Sequence, residues 1–221
     1  MEYAYHLAKG TVVPPLQLWF NWRFEGLDEI PADGPVLAAC NHVSYLDAFA
    51  HGYAVVKRGR RPRFLAKSEL FDVPVVGRLL NNAKMVPVRR GTGDPAVLRR
   101  AEDSLRQGEC VLIYPEGTVT RQPDFLPMHG KTGVVRLALA TGVPITPIAT
   151  WGGQHVWQKN GRGSLKFGRP IWVKAGPPID LSAERDRLDD QSRVRALTDD
   201  VMADLTRLVG DVRSRYPARW S

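Results

Sequence analysis

The sequence predicts an α/β fold, a single domain with a mostly parallel central sheet flanked by helices. Three observations carry this. Short apolar runs that read as strands alternate with segments that read as helices, from residue 35 almost to the C-terminus. The runs at residues 35–40 and 110–114 are continuously apolar, the signature of strands buried in a sheet interior. The 221 residues, 43% of them hydrophobic, are enough to bury a full core, and neither a repeat nor a low-complexity linker divides them.

Residues 1–30 read as an N-terminal amphipathic segment and residues 31–221 as the domain proper. Tyr3, Tyr5, Trp19, Phe20, Trp22 and Phe24 are interleaved with Lys9 and Arg23. The uncharged run between Lys9 and Arg23 is too short to span a bilayer and is broken by Pro14-Pro15, and it lacks the layout of a cleaved signal peptide. Aromatic residues beside cations suit a membrane–water interface, though they could equally pack on the domain.

The turn Pro31-Ala32-Asp33-Gly34 delivers a strand over residues 35–40. A helix follows from Tyr45 to about Val56, with Ser44 as its expected N-cap. The basic run 57–63 leads into a strand over Phe64–Lys67, and Val73–Leu80 reads as a short helix or turn. Met85–Val88 is a strand ending in Arg89-Arg90-Gly91, and Asp94 is placed to cap a helix over Pro95–Gln107 that Gly108 closes. Cys110–Tyr114 is a strand that stops at Pro115-Glu116-Gly117-Thr118, and Gly130–Gly133 opens a helix through Ala140. Residues 143–149 form a further strand whose prolines predict an edge or irregular position. Leu165–Lys174 reads as a strand pair broken at Gly168-Arg169-Pro170. Val194, Leu197, Val201, Leu205, Leu208 and Val212 trace one apolar helical face.

His42 and Asp47 stand at the first strand-to-helix switch, where open α/β sheets present their chemistry. Five residues apart on a continuous helix they would diverge by roughly 140°, so they meet only if His42 lies in the loop and Asp47 in the first turn. The pattern Ser44-x-x-Asp47 is a capping box and supports that placement. Asp47 would then accept the Nδ1–H of His42 and leave Nε2 free as a general base. The competing explanation is a loop histidine beside a capping carboxylate. Cys40, two residues before His42, falls in a strand and reads as a buried, inert thiol.

Lys67, Arg90 and Glu116-Gly117-Thr118 also end strands, and a parallel sheet gathers them with His42 and Asp47 on one edge. A general base, two cations and a carboxylate beside a glycine turn suit group transfer to a hydroxyl of a phosphorylated acceptor. In this setting Asn41-His42-x4-Asp47 resembles the first motif of the glycerolipid acyltransferases, the lysophosphatidic acid acyltransferase family. Phe64-x-Ala66-Lys67-x-Glu69-Leu70, Pro87-Val88-Arg89-Arg90-Gly91, Tyr114-Pro115-Glu116-Gly117-Thr118 and Val143-Pro144-Ile145-Thr146-Pro147 are similar to that family's later stretches, in order and with compatible spacing.

The resemblance implies that fold and a peripheral enzyme on the cytoplasmic side of the cell membrane. It would move a fatty acyl group from acyl-CoA or acyl carrier protein to a hydroxyl of glycerol 3-phosphate or lysophosphatidic acid. His42 would deprotonate the acceptor hydroxyl, and Asp47 would orient His42 and stabilise its imidazolium. Arg90, Glu116, Gly117 and Thr118 would bind the glycerol phosphate, with Lys67, Lys131 and Arg121 as further phosphate contacts and backbone N–H groups near the third motif holding the oxyanion. The family often has arginine directly after the threonine of this motif. Val119 stands there in this sequence, and Arg121 comes two residues later.

The net charge of +8 points to anionic partners, and the absence of a nucleic-acid-binding motif leaves phosphorylated metabolites and anionic membrane rather than nucleic acid. No metal or cofactor is expected, because His6, His51, His129 and His155 lack metal-ligand spacing with a partner. Rival readings are acylation of a glycolipid sugar hydroxyl, a non-catalytic lipid-binding surface protein, and a hydrolase that activates water with the same pair.

Overall fold

A computed structural model of the chain describes residues 10, 14, 15, 17–82, 85–88 and 95–220, with backbone alone at 67, 70, 75, 76, 79 and 95. Its strands are β1 Asn21–Glu25, β2 Val36–Cys40, β3 Pro62–Lys67, β4 Val86–Val88, β5 Cys110–Ile113, β6 Ile145–Trp151 and β7 Pro170–Ala175. The helices packed about them are α1 Asp47–Lys57, α2 Pro74–Asn82, α3 Pro95–Arg106, α4 Gly133–Thr141 and α5 Gln191–Ser214. The strands form one sheet in the order β1-β7-β6-β2-β5-β3-β4. β2 to β6 all run the same way, β7 returns antiparallel to β6, and β1 lies parallel to β7. The sheet is thus α/β and mostly parallel, as the alternation of elements predicts.

Period-two alternation splits β2 between two cores. Leu37 and Ala39 face a cluster with Leu105 of α3, Val134 and Leu137 of α4, and Val194, Leu197 and Val201 of α5. Val36, Ala38 and Cys40 face the other side, where Ala50, Ala54 and Val55 of α1 pack with Ile30 and Phe20. Each face of the sheet is therefore covered by helix, which is why its central strands carry no polar face. The long α5 is capped by Asp190, whose carboxylate accepts the Arg193 N–H at 2.9 Å. Its buried stripe follows the expected positions, with Val209 fully buried beside the partly buried Leu208.

Four local expectations are revised. Strand β6 is interior and buried throughout, despite its prolines. Pro147 accepts the Gly176 N–H at 2.9 Å, so its nitrogen faces the far end of the β7 ladder, where a missing donor breaks no further bond. Residues 165–169 are not a strand, because Gly168 lies at φ 74° and its N–H turns back to Trp19 O at 2.8 Å. The first helix begins at Asp47 rather than Tyr45, with Ser44 Oγ accepting the Leu46 N–H at 3.0 Å ahead of it. Finally, residues 20–30 belong to the fold, since β1 pairs with β7 and Phe20 and Ile30 are buried. Asp94 and most of residues 1–16 lie outside the described residues.

Candidate active site

Asn41, the residue before His42, is locked first. The Asn41 side chain pairs with the Thr150 backbone in both directions, Nδ2 to O at 3.1 Å and N to Oδ1 at 2.7 Å. That ties the end of β2 to the end of β6. His42 is then gripped through its own peptide groups, with its N–H donating to Glu116 Oε1 at 3.0 Å and its carbonyl accepting from Thr120 N at 2.7 Å. The β5–α4 connection thus holds the His42 backbone at both its N–H and its carbonyl.

The ring itself has two partners. His42 Nδ1 lies 3.0 Å from Asp47 Oδ2, and the ring stacks on Tyr114 with centroids 4.2 Å apart and planes 22° from parallel. The expected loop-to-first-turn geometry is therefore what brings the pair together. Asp47 Oδ2 also accepts the N–H groups of Val43 at 2.6 Å and Ser44 at 2.7 Å, so the carboxylate reaches back as the acidic half of a capping box does. Oδ1 is buried without a hydrogen-bond partner. Burial pushes the Asp47 carboxyl above its ordinary range, against the pull of His42 and the two backbone donors. The His42 side chain keeps 13% exposure, and Nδ1–H donation to Asp47 leaves Nε2 as its free acceptor.

Behind the dyad stands a second pair that the sequence did not single out. Tyr114 is stacked between His42 and Phe64, and its hydroxyl meets His51 Nδ1 at 3.1 Å. His51 is fully buried and pushed down to about 3 by desolvation, so it is neutral. It lies four residues after Asp47 on α1, and that helical spacing was the available signal. Cys40 is buried and its thiol pushed far up by desolvation, which makes it inert, as expected.

The third motif is bent by Gly117 at φ 69°, in the left-handed region that suits glycine. A Cβ there would come within 3.1 Å of Lys131 Cε and Nζ, so the glycine also lets that cation lie against the turn. The Gly117 N–H donates to Tyr114 O at 2.9 Å and is committed to the turn rather than to an oxyanion. Both Glu116 oxygens go to backbone, Oε1 to His42 N and Oε2 to Met128 N at 3.0 Å. The carboxylate holds two loops together rather than pointing into open space. Burial raises it to about 7 despite those two donors.

Thr118 Oγ1 accepts from Lys159 Nζ at 3.0 Å, which brings a cation from the β6–β7 connection that no spacing rule would find. Lys131 is exposed, and so is Arg121, whose N–H meets Met128 Sδ at 3.4 Å. Lys67 ends β3 on the same edge, where its backbone pairs with Val88. Arg90 lies outside the described residues.

An Acyltransferase family model matches residues 21–151. The chain is 30% identical over 195 residues to a chloroplastic 1-acyl-sn-glycerol-3-phosphate acyltransferase of Brassica napus, covering 87% of this chain and 54% of that protein. It is 34% identical over 116 residues to a lyso-ornithine lipid O-acyltransferase of Pseudomonas aeruginosa, covering 52% of this chain and 42% of the relative. It thus spans about half the length of these curated relatives. The crystal structure of the 1-acyl-sn-glycerophosphate (LPA) acyltransferase of Thermotoga maritima superposes with a TM-score of 0.70 at 25% identity, over 97% of this chain and 81% of that one. The matched stretch runs from β1 to the end of β6 and contains the His42–Asp47 pair and the Glu116-Gly117 turn, and the chain belongs to the Acyltransferase family.

Proposed function

We propose that this protein transfers a fatty acyl group from a thioester, acyl-CoA or acyl carrier protein, to a hydroxyl of glycerol 3-phosphate or lysophosphatidic acid at the cytoplasmic face of a membrane. The observation that carries the reading is the fixed 3.0 Å contact between His42 Nδ1 and an Asp47 oxygen that two further N–H groups hold in place. A carboxylate held in this way sets the tautomer, so that Nε2 accepts the proton of the acceptor hydroxyl as it attacks the thioester carbonyl. The imidazolium that forms sits against a buried negative charge and returns its proton to the departing thiolate as the tetrahedral intermediate collapses. The phosphate of the acceptor would be met by Lys131, Thr118, Lys159 and Arg121 around the Gly117 turn, with Lys67 and Arg90 as the further contacts that the resemblance implies. Glu116 acts on the acceptor indirectly, by holding the His42 backbone.

A second reading has an observation behind it. Val119 stands where the resemblance leads one to expect arginine, and one relative is named for a lyso-ornithine lipid, so the same dyad could serve a lysolipid of another headgroup. The deciding experiment is thiol release from palmitoyl-CoA with glycerol 3-phosphate, lysophosphatidic acid, lyso-ornithine lipid, a glycolipid or no acceptor. We expect release that requires a phosphorylated acceptor, is abolished in His42→Ala, and falls on the order of 10²–10⁴-fold in Asp47→Asn, where the charge is lost but the acceptor oxygen is kept. Release indifferent to acceptor would mean a hydrolase. No release from folded protein supplied with lipid would mean a binding module.

A further inference from the structure

The β6–β7 connection presents apolar side chains to solvent at an unusual density. Trp157 is 51% exposed, Leu165 64% and Phe167 69%. Phe167 packs edge-to-face on the half-exposed Trp19 at 5.7 Å, next to the exposed Leu18, and Trp157 packs on the exposed Tyr45 at 5.3 Å. Large apolar groups gathered on a surface mark a site of association. Interspersed with them are the exposed cations Lys159, Arg162 and Lys166, and no acidic residue occurs between His155 and Asp180. Aromatic residues that alternate with cations, without an acid among them, match the headgroup layer of an anionic bilayer, which accepts both.

The topology says which way this surface looks. Because β7 runs against β6 and β1 lies parallel to β7, the start of β7, the start of β1 and the ends of β2, β5 and β6 share one edge of the sheet. The connection and residues 18–19 are thus on the same side as the dyad. Two hydrogen bonds tie them to it, since Trp157 O accepts from Ser44 Oγ at 2.7 Å and from Tyr45 N at 3.4 Å.

We propose that residues 157–167, with Leu18 and Trp19, form a docking surface for an anionic lipid bilayer, and that docking there sets His42 against the layer that holds the acceptor. This rests on the reading of the acceptor as a lipid. It extends the membrane contact from Leu18 and Trp19, at the end of the aromatic N-terminal segment, to the β6–β7 connection far along the sequence.

The test is flotation of the full chain with phosphatidylcholine vesicles, with and without phosphatidylglycerol. Wild type should float with the anionic vesicles and be released by salt. Leu165→Ser with Phe167→Ser should lower partitioning roughly tenfold or more. Arg162→Glu with Lys166→Glu should abolish the preference for phosphatidylglycerol. Both variants should turn over a water-soluble short-chain lysophosphatidic acid at the wild-type rate, which checks folding. Variants that float as wild type does would overturn the assignment, as would a wild type that never floats. Dimers in sedimentation velocity that the Leu165/Phe167 variant dissolves would give the patch to a second copy instead. Intact flotation in a protein without acyltransfer would sink the catalytic reading and leave the docking surface standing.

Discussion

Tyr114 has two jobs that one substitution pair can separate. Its ring is the floor under His42, and its hydroxyl is the His51 Nδ1 partner in the structure. Tyr114→Phe removes that hydrogen bond from a fully buried imidazole. We expect it to cost about 1–2 kcal/mol in a denaturant titration with little change in kcat. Tyr114→Leu also removes the floor, and the imidazole gains freedom to tilt away from Asp47. Its kcat should fall at least tenfold, with the acceptor KM unchanged, and a Leu variant as fast as Phe would show that the stack does not position the base.

At the scale of elements, the site is made by connections rather than by strands. The β6–β7 connection presses on the dyad through Gly153, where an added Cβ would stand 3.0 Å from Ser44 Cβ and 3.1 Å from Asp47 Oδ1. Both neighbours are held by hydrogen bonds, Asp47 through Oδ2 to two backbone donors and Ser44 through Oγ to Trp157 O, so the added carbon must displace a tethered group. Gly153→Ala should therefore push the carboxylate off His42 and lower kcat by about 10²-fold, in the direction of Asp47→Asn, while the far-ultraviolet spectrum stays native. Strands β2 and β5 and helix α5 were legible because each is a sustained apolar pattern. The Leu165-x-Phe167 alternation misled for a physical reason. Leu165 and Phe167 are apolar as strand residues are, yet they meet solvent rather than a second layer. The His42–Asp47 meeting was legible from local chain geometry alone. Gly153 and Lys159 were not, because their contacts join segments more than 100 and about 40 residues apart.

For the molecule as a whole, Glu116 makes stability depend on pH in an unusual sense. Its folded value of about 7 lies above the ordinary 4.5, so between those limits the folded state holds a proton that the unfolded chain has released. Stability from this group is complete below pH 4.5 and is lost as the pH rises through 7, on the order of 3 kcal/mol in all. His51, held near 3 against an ordinary 6.5, works the other way, with stability lost as the pH falls below 6.5. The difference between wild type and Glu116→Gln cancels His51 and isolates the carboxylate. We expect that difference in unfolding free energy to shift against the wild type from pH 4.5 to 7, and a pH-independent difference would mean that Glu116 is ionised throughout. One consequence of the reversed pair β1 and β7 concerns how the protein can be handled. The polypeptide comes into the sheet at the rim that carries the His42–Asp47 pair, and Trp220 is held there too, by Arg169 at 3.0 Å. A tag or surface tether joined near either place would shadow the rim. The exposed Asp33 and Gln107, on turns at the opposite rim, are where a fluorophore or an immobilising linker leaves it open.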